Sequence, residues 1–529
     1  MSNSQMTRRQ FNRLLILSML VSTNGLLSSN PVKAFEKTDD VQGFGSYSAT
    51  QLTKAIKSKK VSATELLKYF MDRHKRLDLK INAIVKTDFK RALIRAKKAD
   101  ESLSKGEIWG PLHGLPMTIK DNIEVEGMTT SYGDPYFNER RTAKNADVVQ
   151  SLLDAGAIIF GKTNLPPFGM DSQTFNDVFG QTNNPWDITK TPGGSSGGAA
   201  AALAAGLTGL EIGNDIGGSI RLPAHFCGVY GHKPSYNIVS MHSRKKPGKT
   251  NGSNYTANFD LAVNGPLARS AEDLELTMDV IVAPPSYQRK AIKIKLPEPR
   301  KTKLKEFRVG VWIEDSLYPT DNEVGNCLQK MVDRLQKAGV KLKTKKPDVD
   351  LKRCHLLRGK LEIATLSHLQ PPELYEWAVS QAKILKDEDQ SYKARWIRAM
   401  TGCHRDWNKL NEERAVMRQK WDDYFQDIDV LLCPVARIAA HNHDHTEITE
   451  RKIQFNNKII NYWDVVGPWN SLSLVAYLPA TVAPIGFTQK NLPVGVQIIG
   501  PYLEDYTPIQ FAKHLEEMNG GYKLPPGFL

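Results

Sequence analysis

The chain of 529 residues is 40% hydrophobic and 24% charged, a balance that excludes disordered, collagen-like and multi-span membrane classes. Its formal charge of +14 is spread along the sequence among interleaved acids, so no basic stripe for nucleic acid is indicated. Five cysteines (Cys227, Cys327, Cys354, Cys403 and Cys433) stand far apart, odd in number and in no CxxC pair, which argues against a disulfide framework or a structural zinc site.

Taken in chain order, the first feature is Thr7-Arg8-Arg9-Gln10-Phe11, followed by an apolar run from Leu14 to about Leu27 and then Val32-Lys33-Ala34. Basic head, apolar middle and small-residue end have the order of a secretory signal, and the paired arginines before Phe11 resemble a twin-arginine signal. Residues 1–34 are therefore expected to be a leader, cleaved after Ala34, of a periplasmic or secreted protein; a retained N-terminal anchor is the alternative. No later apolar run has the length of a membrane span, so none is expected once the leader is removed.

Ser62-Ala63-Thr64-Glu65 reads as a capping box opening a helix through Leu66, Leu67, Phe70 and Met71. Asn82-Ala83-Ile84-Val85 reads as a short strand, and from Gly110 to about Ser240 short apolar runs alternate with glycine-rich turns. The stretch 284–305 is basic and proline-containing, a solvated connector. Residues 307–312 then read as a strand, 322–338 as a helix, about 355–425 as charged helices, 430–434 and 494–500 as buried strands, and 508–518 as a final helix. Strands alternating with helices point to an α/β fold around one large sheet.

Three segments carry chemistry. Thr191-Pro192-Gly193-Gly194-Ser195-Ser196-Gly197-Gly198 precedes an alanine run: four glycines around two serines let backbone approach closely, although such a run taken alone is equally a flexible linker. In Asp215-Ile216-Gly217-Gly218-Ser219-Ile220-Arg221, a serine after two glycines sits on a sharp turn with N–H groups exposed beside it, the requirement of an oxyanion hole. In Gly110 to Asn122, a turn feeds an apolar strand ending in Lys120, where desolvation lowers the pKa of a lysine and makes it a base.

Together these segments, with Gly161-Lys162-Thr163-Asn164 and Leu492-Pro493-Val494-Gly495-Val496-Gln497, resemble the amidase signature family over roughly residues 45–525. The resemblance implies one large domain, 35–529, with a mixed twisted β-sheet sandwiched between helices, a signature core at about 110–240 and a helical substrate-side region at about 340–430. It implies Ser219 as nucleophile, Ser195 as bridging serine after a cis Gly194–Ser195 peptide, and Lys120 as base. The N–H groups of Ile216, Gly217, Gly218 and Ser219 would form the oxyanion hole, with Gly194, Ser196, Asp215 and Arg221 in support. No cofactor and no metal are implied; the expected substrate is a small-molecule amide, cleaved to carboxylate plus amine or ammonia through a seryl acyl-enzyme, and self-association is left open. The alternatives are a glutaminase-type amidotransferase subunit, which an exported chain would not be, and a non-catalytic binding protein on the same scaffold. The ending Gly520 to Phe528 faintly resembles the fatty-acid-amide branch.

The chain departs from the family at Pro167, where Glu is usual, at Asn214, where Thr or Ser is common, and at Leu478, where Gly is usual; none of these is expected to touch the triad. His441-Asn442-His443-Asp444-His445 reads as a polar loop before a metal site, His113 as a hydrogen-bonding structural residue and Cys227 as a small buried one. Tyr462, Trp463 and Trp469 fit either a pocket or the core.

Overall fold

Eleven short strands line up in one mixed sheet in the computed structural model, which describes residues 43–139, 141–243 and 259–528. The expected leader and its cleavage point lie outside the described residues. In chain order the strands are β1 (Ile84–Thr87), β2 (Pro116–Lys120), β3 (Ile158–Thr163), β4 (Glu211–Asp215), β5 (Tyr230–Lys233), β6 (Val263–Ala268), β7 (Arg308–Val311), β8 (Lys341–Lys343), β9 (Val430–Pro434), β10 (Ala480–Phe487) and β11 (Pro493–Ile499). Their order across the sheet is β1-β3-β2-β4-β6-β5-β10-β11-β9-β7-β8. The β3–β2–β4 and β9–β7–β8 neighbours run parallel, and the rest antiparallel. Flanking helices cover the sheet, which explains why β2, β3, β6 and β11 are buried at every residue instead of alternating between core and solvent. Residues from Gly43 onward form one compact unit, the single large α/β domain expected.

The local signals hold where they are strong. Ser62 and Glu65 form the reciprocal capping box that opens helix 63–77. The alanine run becomes helix α1 (Gly197–Ala204), apolar all round and buried at each residue, which is what a helix in the middle of a core requires. Helix α2 (Arg221–Cys227) follows the serine turn and ends on Gly228 in the left-handed conformation. Helices occupy most of 351–427; among them α3 (Leu351–Leu366) packs on α4 (Tyr392–Met400) and on the later α5 (Pro468–Val475). Among the described residues no helix is long and apolar enough to cross a membrane.

Candidate active site

The site grows from the carboxyl ends of two neighbouring parallel strands. β2 pairs with β4 through Thr118–Glu211 and Ile119–Ile212, so Lys120, the last residue of β2, and Asp215, the last of β4, emerge side by side. This is where open α/β sheets hold ligands, because the chain must turn there and its polar groups face outward. The turn after Lys120 is fixed from below: buried Lys162 on β3 donates to the carbonyls of Asp121 (3.0 Å) and Ile123 (2.6 Å).

Lys120 is fully buried, and its Nζ lies 2.7 Å from Ser195 Oγ and 2.7 Å from Asn214 Oδ1. Burial pushes its ammonium down to about 7, against the opposing pull of Asp215 and Glu211. Glu211 sits buried in register with Thr118, two residues before Lys120, and burial pushes its carboxyl up to about 8 against the hydroxyls of Thr118 and Thr163. Hence the lysine loses its proton near neutrality, while the acid next to it keeps one there.

Ser195 follows a cis Gly194–Ser195 peptide at the mouth of α1, as the resemblance implied. Gly194 is forced by contact: a Cβ there would lie 2.6 Å from the carbonyls of Asp171 and Gln173. Ser196 N–H donates to the carbonyl of Ser219 (3.1 Å), tying the two serine segments together. Ser219 itself is 8% exposed, whereas Ser195 is 1% exposed, so Ser219 is the more accessible of the two hydroxyl residues.

The turn carrying Ser219 is built on Asp215. Its carboxylate accepts from the N–H groups of Gly218 (2.9 Å) and Ile220 (3.1 Å) and from Arg221 Nε and Nη2 (3.0 and 2.9 Å). Burial pushes Asp215 up, but Arg221 and the Gly218 N–H prevail and hold it at about 2. Arg221 Nη1 continues to Asn470 O, Ser473 Oγ and Gln497 Oε1, anchoring the turn to α5 and β11. Gly218 has φ +109°, and a Cβ there would meet Asn470 Cγ at 2.7 Å, so no other residue fits. Because the Gly218 N–H is held by Asp215, the expected oxyanion donors narrow to Ile216, Gly217 and Ser219.

Two expectations change. Asn214 does reach the triad: its amide oxygen takes one N–H of Lys120, and its amide nitrogen donates to Asn122 Oδ1 at 2.9 Å. A hydroxyl residue there would lack the length to span both, and the adjacency of Asn214 to Asp215 was the available signal. The other change concerns α3, whose charged pair Arg358–Glu362 sits over the serine turn, with Glu362 Oε1 3.0 Å from where a Gly217 Cβ would be. Nothing in the spacing of α3 marked that pair.

The remaining candidates fall elsewhere. His113 accepts from Trp109 N–H and bonds the carbonyl of Ala99, a structural role. Cys227 is buried, and Trp469 is a core residue whose indole donates to Tyr318 O. Tyr462 is buried and donates to Asp171, while Trp463 is half-buried. In the histidine loop, His445 stacks on Phe175 at 4.2 Å.

A family model described as Amidase matches residues 65–508. A glutamyl-tRNA(Gln) amidotransferase subunit of Trichodesmium erythraeum is 28% identical over 504 residues, covering 90% of this chain and 99% of its own. Its namesake from Sulfurihydrogenibium sp. is 30% identical over 507 residues, covering 90% and 98%. Among solved structures, a bacterial aryl acylamidase described as belonging to the amidase signature enzymes shares the fold with a TM-score of 0.72 at 22% identity, covering 89% of this chain and 96% of that one.

Proposed function

Because a family model spans residues 65–508 and a 30% identical relative is matched almost end to end, the chain belongs to the amidase family, and from that premise we propose that it hydrolyses a small-molecule carboxamide through an acyl-enzyme on Ser219. The observation that carries the reading is the buried Lys120 amine, 2.7 Å from Ser195 Oγ and lowered to about 7.

Serine is a weak nucleophile until a neighbour takes its proton. In the proposed step Ser219 Oγ attacks the amide carbon, its proton passes to Ser195 Oγ, and the Ser195 proton passes to neutral Lys120. Negative charge develops on the carbonyl oxygen, where the N–H groups of Ile216, Gly217 and Ser219 are the supporting dipoles. Collapse of the tetrahedral intermediate breaks the C–N bond as the proton returns from Lys120 through Ser195 to the leaving nitrogen. Water then attacks the acyl ester by the same relay and frees the carboxylate. Each proton in this sequence is carried by Ser195 and Lys120, with no histidine in the relay.

The names of the sequence relatives favour a second reading, release of ammonia within an amidotransferase assembly. The resemblance of Thr7-Arg8-Arg9-Gln10-Phe11 and the apolar run after it to a twin-arginine signal supports the free hydrolase, which we propose is exported and begins at Phe35. Hydroxylamine partitioning tests the acyl-enzyme: several amides of one acid should give the same ratio of hydroxamate to acid, whereas ratios that vary with the leaving amine would contradict a common intermediate.

A further inference from the structure

The hydrogen bonds around Lys120 run in one direction and end on a donor that the relay does not use. A neutral lysine amine keeps N–H groups as well as its lone pair; the pair serves Ser195, and an N–H is given to Asn214 Oδ1 at 2.7 Å. That bond fixes which way the Asn214 amide points, so its Nδ2 donates to Asn122 Oδ1 at 2.9 Å. Asn122 must then present its own Nδ2 on the other side. This nitrogen donates to no group among the described residues, and Asn122 is half-buried, within reach of solvent, whereas Ser195 is 1% exposed.

Asn122 Nδ2 and the Ser195 hydroxyl border the same space. The loop after β3 passes beside both at Gly169, which has φ +74° and is itself half-buried. A Cβ on Gly169 would stand 3.3 Å from Ser195 Oγ and 3.8 Å from Asn122 Nδ2. With glycine in place, no side chain of this loop fills the approach to the two groups.

The polarity of that donor says which half of the reaction it suits. A departing amide nitrogen has one lone pair, which must take the proton that Ser195 returns, so it has nothing to offer a second donor. A water oxygen has two lone pairs, one to attack the acyl carbon and one to accept an N–H. We infer that Asn122 is a positioning residue for hydrolysis: its amide N–H holds the attacking water beside Ser195 Oγ, so that it acts in deacylation and not in acylation. In that step the water oxygen bonds the acyl carbon, its proton passes to Ser195 Oγ, and the Ser195 proton passes to Lys120. Collapse then breaks the bond from the acyl carbon to Ser219 Oγ, which takes the proton back along the same path. The inference rests on Ser219 as nucleophile.

The test separates the two halves on the protein from Phe35 onward. An alkyl fluorophosphonate bonds to the activated serine without needing water, so its labelling rate reads the first half. A pulse of p-nitrophenyl butyrate followed by rapid-quench mass spectrometry gives the decay of the butyryl adduct, which reads the second. In N122A, labelling should keep its rate to within about 2-fold, while the adduct should decay about 5-fold more slowly or worse, the worth of one neutral hydrogen bond. G169A leaves the Asn122–Asn214 bond intact and sets a methyl beside Ser195 Oγ; it too should slow decay more than labelling. Circular dichroism establishes that each variant is folded, and if N122A does not fold, G169A decides. Decay that is unslowed relative to labelling in either folded variant, whether both rates fall together or neither does, overturns the proposal and leaves the nucleophile in place. Folded wild type that takes neither probe overturns the assignment of Ser219 and this inference with it.

Discussion

Lys120 shows how one residue's chemistry follows from where its strand ends. In water its ammonium would stay charged to pH ~10; at the buried end of β2, burial brings it to about 7. The base is the neutral amine, so activity is lost as pH falls through that value: kcat/KM should rise with pH through about 7 and level above it. A profile flat down to pH 5 would contradict the relay. Asn214→Thr removes the amide that bridges Lys120 and Asn122; the acid limb of the same profile should move, and an unmoved limb with unchanged kcat would show that the bridge is incidental. Arg221 is different, since its partners are structural. Arg221→Met strands the buried Asp215 carboxylate and should cost about 3–5 kcal/mol in chemical unfolding, the cost of breaking a buried pair. At this scale the meeting of Lys120 with Ser195, and of the Ser195 and Ser219 segments, was legible, because glycine-flanked serines and a strand-final lysine are uncommon together. Asn214 was seen only as a departure, because its role depends on a neighbouring strand that sequence order does not reveal. Arg358 and Glu362 were missed because a charged pair one turn apart on a helix looks like any solvated face.

Among the elements, α1 carries the largest constraint. It is buried on all sides, so its alanines are set by space rather than by helix propensity. Ala201→Leu should overpack the core and lower stability by about 1–3 kcal/mol, readable as a fall in the urea midpoint; an unchanged midpoint would mean that the helix has room. Helices and strands with clean apolar runs were legible to within a few residues: 307–312 became β7 (Arg308–Val311), 322–338 became helix 322–337, and 494–500 became β11. β6 and β10 escape a reading of the sequence for a physical reason. Val263-Asn-Gly-Pro-Leu-Ala and Ala480-Thr-Val-Ala-Pro-Ile-Gly-Phe carry Gly and Pro, which read as turns. The sheet accommodates Pro484 at an irregularity between Pro484 and Gly486, and burial on both sides holds β6 despite Pro266. Tertiary packing overrides local preference there.

Across the whole molecule, the ends of the described chain close on the catalytic core. Tyr522 Oη donates to the carbonyl of Ala204 at the end of α1, and Arg73 donates to the carbonyls of Ala205, Gly206 and Phe528. The C-terminal segment that faintly suggested a substrate class is thus a cap on the helix behind Ser195. Truncation after Gly520 exposes those carbonyls and the buried Arg73; it should lower the melting temperature and the turnover together, and full activity at unchanged melting temperature would refute the cap. The single sheet and the domain class were legible from sequence, whereas the closure of the C-terminal segment on α1 was not, since it joins segments more than 300 residues apart. Activation of Ser219 through Ser195 and Lys120 leaves one reactive serine, which peptide mapping after fluorophosphonate labelling of the protein from Phe35 onward would locate, wild type beside Ser219→Ala. One adduct is expected, on the peptide containing Ser219 and absent from the variant; an adduct on another serine, or none on folded wild type, would rule the relay out.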